Sequence, residues 1–181
     1  MTLARFVPVL VFSTLIAACS STKPAIDFDP QADFSAYKTW SWLPGGPPET
    51  GDRQLDSPEV RERLKRGIED EFAARGFQMN ADSPDFYVFY HAALNQAINE
   101  RNIENYYQYV NYTVFVPWVT SSYTETWDVG TLIIDVFDAK TRTLVWRGTE
   151  RTKMNAQAGP RENEPLIRNG VRDMLKEFPP K

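Results

Sequence analysis

The chain has 181 residues, 42% hydrophobic, 13% aromatic and 24% charged, with a formal net charge of −4, a profile that fits one folded domain in water and neither a disordered tail nor a multi-span membrane protein. The acidic balance argues against a nucleic-acid surface, and the longest basic run, Arg61, Arg63, Lys65 and Arg66, alternates with Glu62 and Glu69 as a solvated helix face does. One cysteine and one histidine exclude a disulfide scaffold, a Cys-rich zinc site and thioredoxin-type chemistry.

Residues 1–18 read as a secretory signal: Arg5 in a short n-region, an apolar stretch from Phe6 to Ile16, then small Ala17 and Ala18. That stretch falls well short of the roughly 20 residues a membrane-crossing helix needs. Ile16-Ala17-Ala18-Cys19 resembles the lipobox of bacterial lipoproteins, which implies cleavage between Ala18 and Cys19 and lipidation of the Cys19 thiol. The plain alternative is an ordinary cleaved signal in which Cys19 is incidental. A diacylglyceryl group plus an N-acyl chain such as palmitate buries many methylenes at roughly 0.8 kcal/mol each, so such an anchor holds permanently. Residues 19–25 are then a short polar tether. Ser20 and Ser21 after the cysteine resemble the context that sorts lipoproteins to the outer membrane, which is favoured over the inner.

Residues 26–181 are expected to form a single domain. Ile26 to Pro30 predicts a brief strand stopped by proline. Lys38 to Leu43 alternates, placing Trp40 and Trp42 on one face of a strand, and a Gly- and Pro-rich loop follows. Ser57-Pro58-Glu59 opens a helix with an N-cap, a proline at the first position and an acidic first turn; Val60, Leu64, Ile68 and Phe72 form its apolar stripe and Gly76 its stop. Asp85 to Ala92 is aromatic and branched, hence a strand. Ala92 to Asn105 reads equally as helix or long loop, while Tyr109 to Val119 and Tyr123 to Val129 alternate as strands do. Thr131 to Asp138 and Thr143 to Gly148 make a hairpin around Ala139 to Arg142. Asn163-Glu164-Pro165 opens a last helix with Leu166, Ile167, Val171, Met174, Leu175 and Phe178 on one face. The expected fold is α+β: a mainly antiparallel sheet of four to six strands packed against two helices.

Three stretches together carry a family resemblance: Asp29-Pro30 with Asp33-Phe34-Ser35 and Tyr37 to Trp40; Pro84-Asp85-Phe86 leading to Tyr90-His91; and Gly130 to Asp135 with Asp138 to Thr141 and Val145 to Gly148. With Phe178-Pro179-Pro180 they resemble bacterial lipoproteins carrying the domain of unknown function numbered 4136. The resemblance implies an envelope lipoprotein with a small α/β domain and no assigned reaction.

Candidate chemistry is sparse. His91, at a strand end, lacks a sequence-assigned nucleophile or orienting carboxylate. Asp135 and Asp138, three apart, leave the strand on opposite faces, and Asp138-Ala139-Lys140-Thr141 reads as turn chemistry. Glu125 and Asp128, and the group Asp27, Asp29 and Asp33, lack the dense oxygen-ligand loop that a divalent ion favours, so no metal or other cofactor is expected. The aromatic run Tyr106, Tyr107, Tyr109, Tyr112, Phe115, Trp118, Tyr123 and Trp127 is open between core packing and an exposed contact surface for protein, glycan or lipid headgroups, of which Tyr109, Tyr112, Trp118, Tyr123 and Trp127 are the candidates. The expected function is a non-catalytic binding or scaffolding domain, with a lipid-tethered hydrolase using carboxylates and His91 as the alternative. A small-ligand carrier is a third reading, and it needs a cavity of several hundred Å³.

Overall fold

The computed structural model describes residues 23–47, 50, 52–94, 107, 112, 129–153 and 162–181. In chain order its elements are β1 (Ala25–Phe28), a 3-10 turn at Phe34–Ala36, β2 (Thr39–Trp42), α1 (Pro58–Ala74), β3 (Gln78–Met79), β4 (Phe86–Leu94), β5 (Val129–Asp138), β6 (Leu144–Lys153) and α2 (Glu164–Leu175). The strands join one sheet in the order β1-β6-β5-β4-β2-β3. β2 runs parallel to both β3 and β4, and every other pair is antiparallel. The expected α+β sheet with two helices is therefore the fold observed. Strand β3, two residues long, was not anticipated, because a span that short carries no periodicity.

Local chemistry sets the elements. The Ser57 hydroxyl accepts from the Val60 amide, Pro58 fills the first helical position, and Val60, Leu64, Ile68 and Phe72 are the buried residues of α1. Gly76 then adopts φ 86°, a left-handed conformation that glycine takes without a Cβ penalty and that ends the helix. Between β5 and β6, Asp138 Oδ1 accepts from the Lys140 and Thr141 amides at 2.9 and 2.7 Å, as the turn reading expected.

The two helices cover one face of the sheet. Phe72 on α1 meets Trp40 with ring centroids 4.9 Å apart. Phe178, just past α2, packs against Phe72, Phe77, Phe86 and Trp146 at 5.4 to 5.7 Å. Trp40 and Trp42 meet edge-on, as alternation predicts. The Trp146 indole lies across the backbone of Gly148, where any Cβ would collide with the ring.

The opposite face is buried as well. Phe89 on β4, Ile133 and Phe137 on β5, and Leu144 on β6 are all enclosed. Tyr107 and Tyr112, from the segment between β4 and β5, are buried with them: Tyr107 meets Phe89 and Phe137, and Tyr112 meets Tyr87 and Phe137. Burial on both faces explains why β4 and β5 read as nearly continuous apolar runs.

The signal at 1–18, the cleavage site at Ala18 and Cys19, and the strands expected over 109–119 and 123–129 lie outside the described residues, apart from Tyr112 and from Val129, which opens β5. Among the described residues no helix is long and apolar enough to cross a membrane.

Candidate functional site

Four polar side chains converge on the second face of the sheet. Strand pairing sets Asp135 of β5 opposite Arg147 of β6 and Phe89 of β4, with His91 two residues further along β4 on the same face. Arg147 Nε donates to Asp135 Oδ1 at 2.6 Å and Arg147 Nη2 to Oδ2 at 2.7 Å, a bidentate, charge-assisted pair. Tyr107 OH donates to Asp135 Oδ2 at 2.6 Å and lies 2.8 Å from His91 Nε2. Asp135 and Arg147 are 0% and 2% exposed and Tyr107 0%, so the whole cluster is dry enough for charge pairing to be decisive.

Proton counting fixes the roles. The phenol has one proton, and the carboxylate paired with Arg147 takes it; the Tyr107 oxygen must then accept from His91. We accordingly assign His91 the Nε2–H tautomer. Burial holds the imidazole down at about 4, with Asp135 opposing burial and Arg147 reinforcing it, so His91 is neutral at pH 7 and its Nε2 is a donor. A general base needs a lone pair aimed at the proton it removes; at Nε2 that lone pair is absent.

Of the other sequence-derived carboxylates, Asp29, Asp33 and Asp138 serve turns, and Asp27 lies within β1. Asp138 also accepts from Tyr37 OH at 3.0 Å through Oδ2. Asp29 accepts from the Gln31 amide, and Asp33 from the amide and hydroxyl of Ser35. Glu125 and Asp128 lie outside the described residues. Among the described residues no three His, Cys, Asp or Glu side chains are grouped to hold a metal ion.

Of the candidate contact residues, Tyr112 is buried, with its ring edge-on to Tyr87 and Phe137 and the Arg142 guanidinium 5.9 Å from its centroid. Tyr109, Trp118, Tyr123 and Trp127 lie outside the described residues.

Two features escaped the sequence reading. Arg147 was read as an ordinary strand residue, although a lone cation among Val145, Trp146 and Gly148 calls for a buried partner. Glu150 is the second. Its Oε2 is buried without a hydrogen-bond partner among the described residues, beside a small apolar pocket between the helices and the sheet, and burial first and Asp173 second raise its carboxyl to about 7. The pocket measures about 40 Å³, room for a water or so and far below the roughly 300–1,000 Å³ of ligand pockets. The carrier reading gains nothing from it.

Comparison with curated proteins gives no match. Among solved structures, a PDZ domain protein from Parabacteroides distasonis superposes with a TM-score of 0.52 at 13% identity, covering 88% of this chain and 36% of that one; this chain thus spans about a third of that protein, and the likeness is one of fold. The PelC dodecamer from Paraburkholderia phytofirmans (TM-score 0.47, 8% identity, 84% and 93% covered) and a DUF330 protein from Xanthomonas campestris (0.43, 9%, 87% and 89%) are more distant. A family model matches residues 24–180, nearly the whole described domain. The chain belongs to the DUF4136 family, a domain of unknown function.

Proposed function

We propose that this chain is a lipid-anchored, non-catalytic binding domain of the bacterial cell envelope, facing the periplasm and held through lipid on Cys19. The anchor rests on the lipobox-like Ile16-Ala17-Ala18-Cys19, with the chain's sole cysteine at its end. The binding role rests on one observation: the chain's only histidine is enclosed with Tyr107, Asp135 and Arg147, so the best candidate catalytic group is committed to holding the fold. That favours binding over the hydrolase alternative. The outer membrane is favoured over the inner on Ser20 and Ser21, and the partner class is an envelope protein or glycan.

The test is fractionation and crosslinking in cells. Cys19→Ser should leave an unlipidated product recovered in the soluble fraction, while a folded His91→Gln variant stays in the membrane and retains the wild-type crosslinked partners. A Cys19→Ser product that remained membrane-bound and cut at the same bond would remove the anchor. Loss of a measured envelope-hydrolase activity in His91→Gln would restore the enzyme reading.

A further inference from the structure

Helix α2 is fastened unevenly. Its second half is bound into the core, with Val171, Met174 and Leu175 fully enclosed and Phe178 buried just beyond them. The first half is looser: Leu166 is 39% exposed and Ile167 is only partly buried. Its tie to α1 is weak as well. Arg63 Nη1 stands 3.8 Å from Glu164 Oε2, beyond hydrogen-bond reach, and among the described residues that buried nitrogen has no hydrogen-bond partner.

Beneath the first half the packing is incomplete. The apolar pocket of about 40 Å³ lies between Leu166, Ile167 and Gly170 of α2 and Leu64, Leu132 and Thr152 across from them. A gap of this kind forfeits contact on every side, and apolar walls offer a water too few of the two to four polar partners that hold one in place. Glu150 lines the same space. Gly170 passes so close over it that a Cβ there would lie 3.0 Å from Glu150 Cγ. Glycine lets the helix come down on this side chain, and it is among the residues that hold a helix least well.

The groups around the Glu150 carboxyl do not neutralise it. Along β6 its neighbours on the same face are Gly148 and Thr152, while Arg147, Arg151 and Lys153 alternate to the other. β5 sets Leu132 opposite it, β1 sets Ile26 opposite Gly148, and α1 brings Leu64. From α2 comes a like charge, Asp173, bonded to Lys176 Nζ at 2.7 Å and 3.6 Å from Arg172 Nε. Burial and then Asp173 both disfavour the ionised form.

We propose that the first half of α2, residues 164–170, is a proton-controlled flap: closed on the sheet while Glu150 is protonated, and released, with Gly170 as its hinge, when Glu150 gives its proton to water. The second half stays docked. Seven residues detached from the sheet do not hold a helix by themselves, so release is a local loss of backbone hydrogen bonds and not of the fold. What it uncovers is apolar, Leu64 and Leu132. The folded carboxyl is raised to about 7 from 4.5, so the closed form is fully favoured below 4.5 and release grows as pH rises from 4.5 through 7. Neither the lipid anchor nor a partner enters this inference, and it stands or falls apart from the binding-domain reading.

The test is hydrogen exchange read by mass spectrometry on the purified full chain at pH 5 and pH 8, each corrected for the intrinsic exchange rate at that pH. The amides of residues 167–170 should lose about tenfold or more of their protection at pH 8, a figure set below the full linkage because Glu150 is only partly buried. Those of α1 and of residues 172–175 should keep theirs. Glu150→Gln and Glu150→Met should each retain the pH 5 protection at pH 8. Equal wild-type protection at the two pH values, a loss shared by α1, or a pH difference that persists in either folded variant would each overturn the inference. The wild-type comparison decides without the variants.

Discussion

The two faces of one sheet are specified by different physics, although they alternate along the same strands. On the helix-covered face, Trp40, Phe72, Phe86, Trp146 and Phe178 pack ring against ring, some tilted and some edge to face, and stability comes from apolar burial. On the other face, apolar rings surround the Asp135-Arg147 ion pair, to which the buried Tyr107 hydroxyl donates. Apolar packing tolerates changes that conserve volume. A buried pair tolerates the loss of both partners far better than the loss of one. The contrast shows that a chain of a family of unknown function can carry a constellation of His, Tyr, Asp and Arg whose geometry is that of a clasp.

The largest expected effect on the helix face is a cavity. Phe72→Ala should cost about 3–5 kcal/mol in urea unfolding at pH 7, since the ring is fully enclosed between Trp40, Phe86 and Phe178. A loss below about 1 kcal/mol would mean that this face does not depend on packing as described.

The faces should also answer pH in opposite senses. His91 has its folded value depressed to about 4 from 6.5, so its contribution is fully present above 6.5 and lost as pH falls from 6.5 through 4. At full protonation the loss is on the order of 3 kcal/mol. His91→Gln should flatten the acid limb of the stability curve, and an unchanged limb would place the proton uptake elsewhere. Glu150, on the helix face, has its folded value raised to about 7 from 4.5. Its contribution is fully present below 4.5 and lost as pH rises from 4.5 through 7. The effect is smaller because Glu150 is only partly buried and solvent screens it. Glu150→Gln should raise stability at pH 8 relative to wild type while leaving pH 4 unaltered; equal changes at both would contradict the assignment.

The helix face was legible in the sequence because its signals are local. Ser57-Pro58, a four-residue stripe and Gly76 define α1 without reference to the rest of the chain. The clasp was not, and the hairpin shows why. Reflecting the strands about the expected turn, Ala139 to Arg142, sets Asp135 opposite Trp146. A register irregularity after Val136, where Val145 is the extra residue, moves the partner by one and brings Arg147 into place. A bulge has no sequence signature strong enough to read, and a one-residue slip sends every side chain to the wrong face. Tyr107, although named in the aromatic run, is not singled out by the sequence for another reason: many rings there compete for the same role, and alternation does not rank them.

The central claim is that the Asp135-Arg147 pair, with Tyr107 and His91, is a structural clasp. The direct test is a double-mutant cycle in urea at pH 7 with Asp135→Leu, Arg147→Met and the two combined. The account predicts that each single change costs about 3–5 kcal/mol by stranding a buried charge, and that the combined variant recovers most of the loss, with Tyr107 then donating to His91. A combined variant as unstable as the sum of the two singles would contradict it.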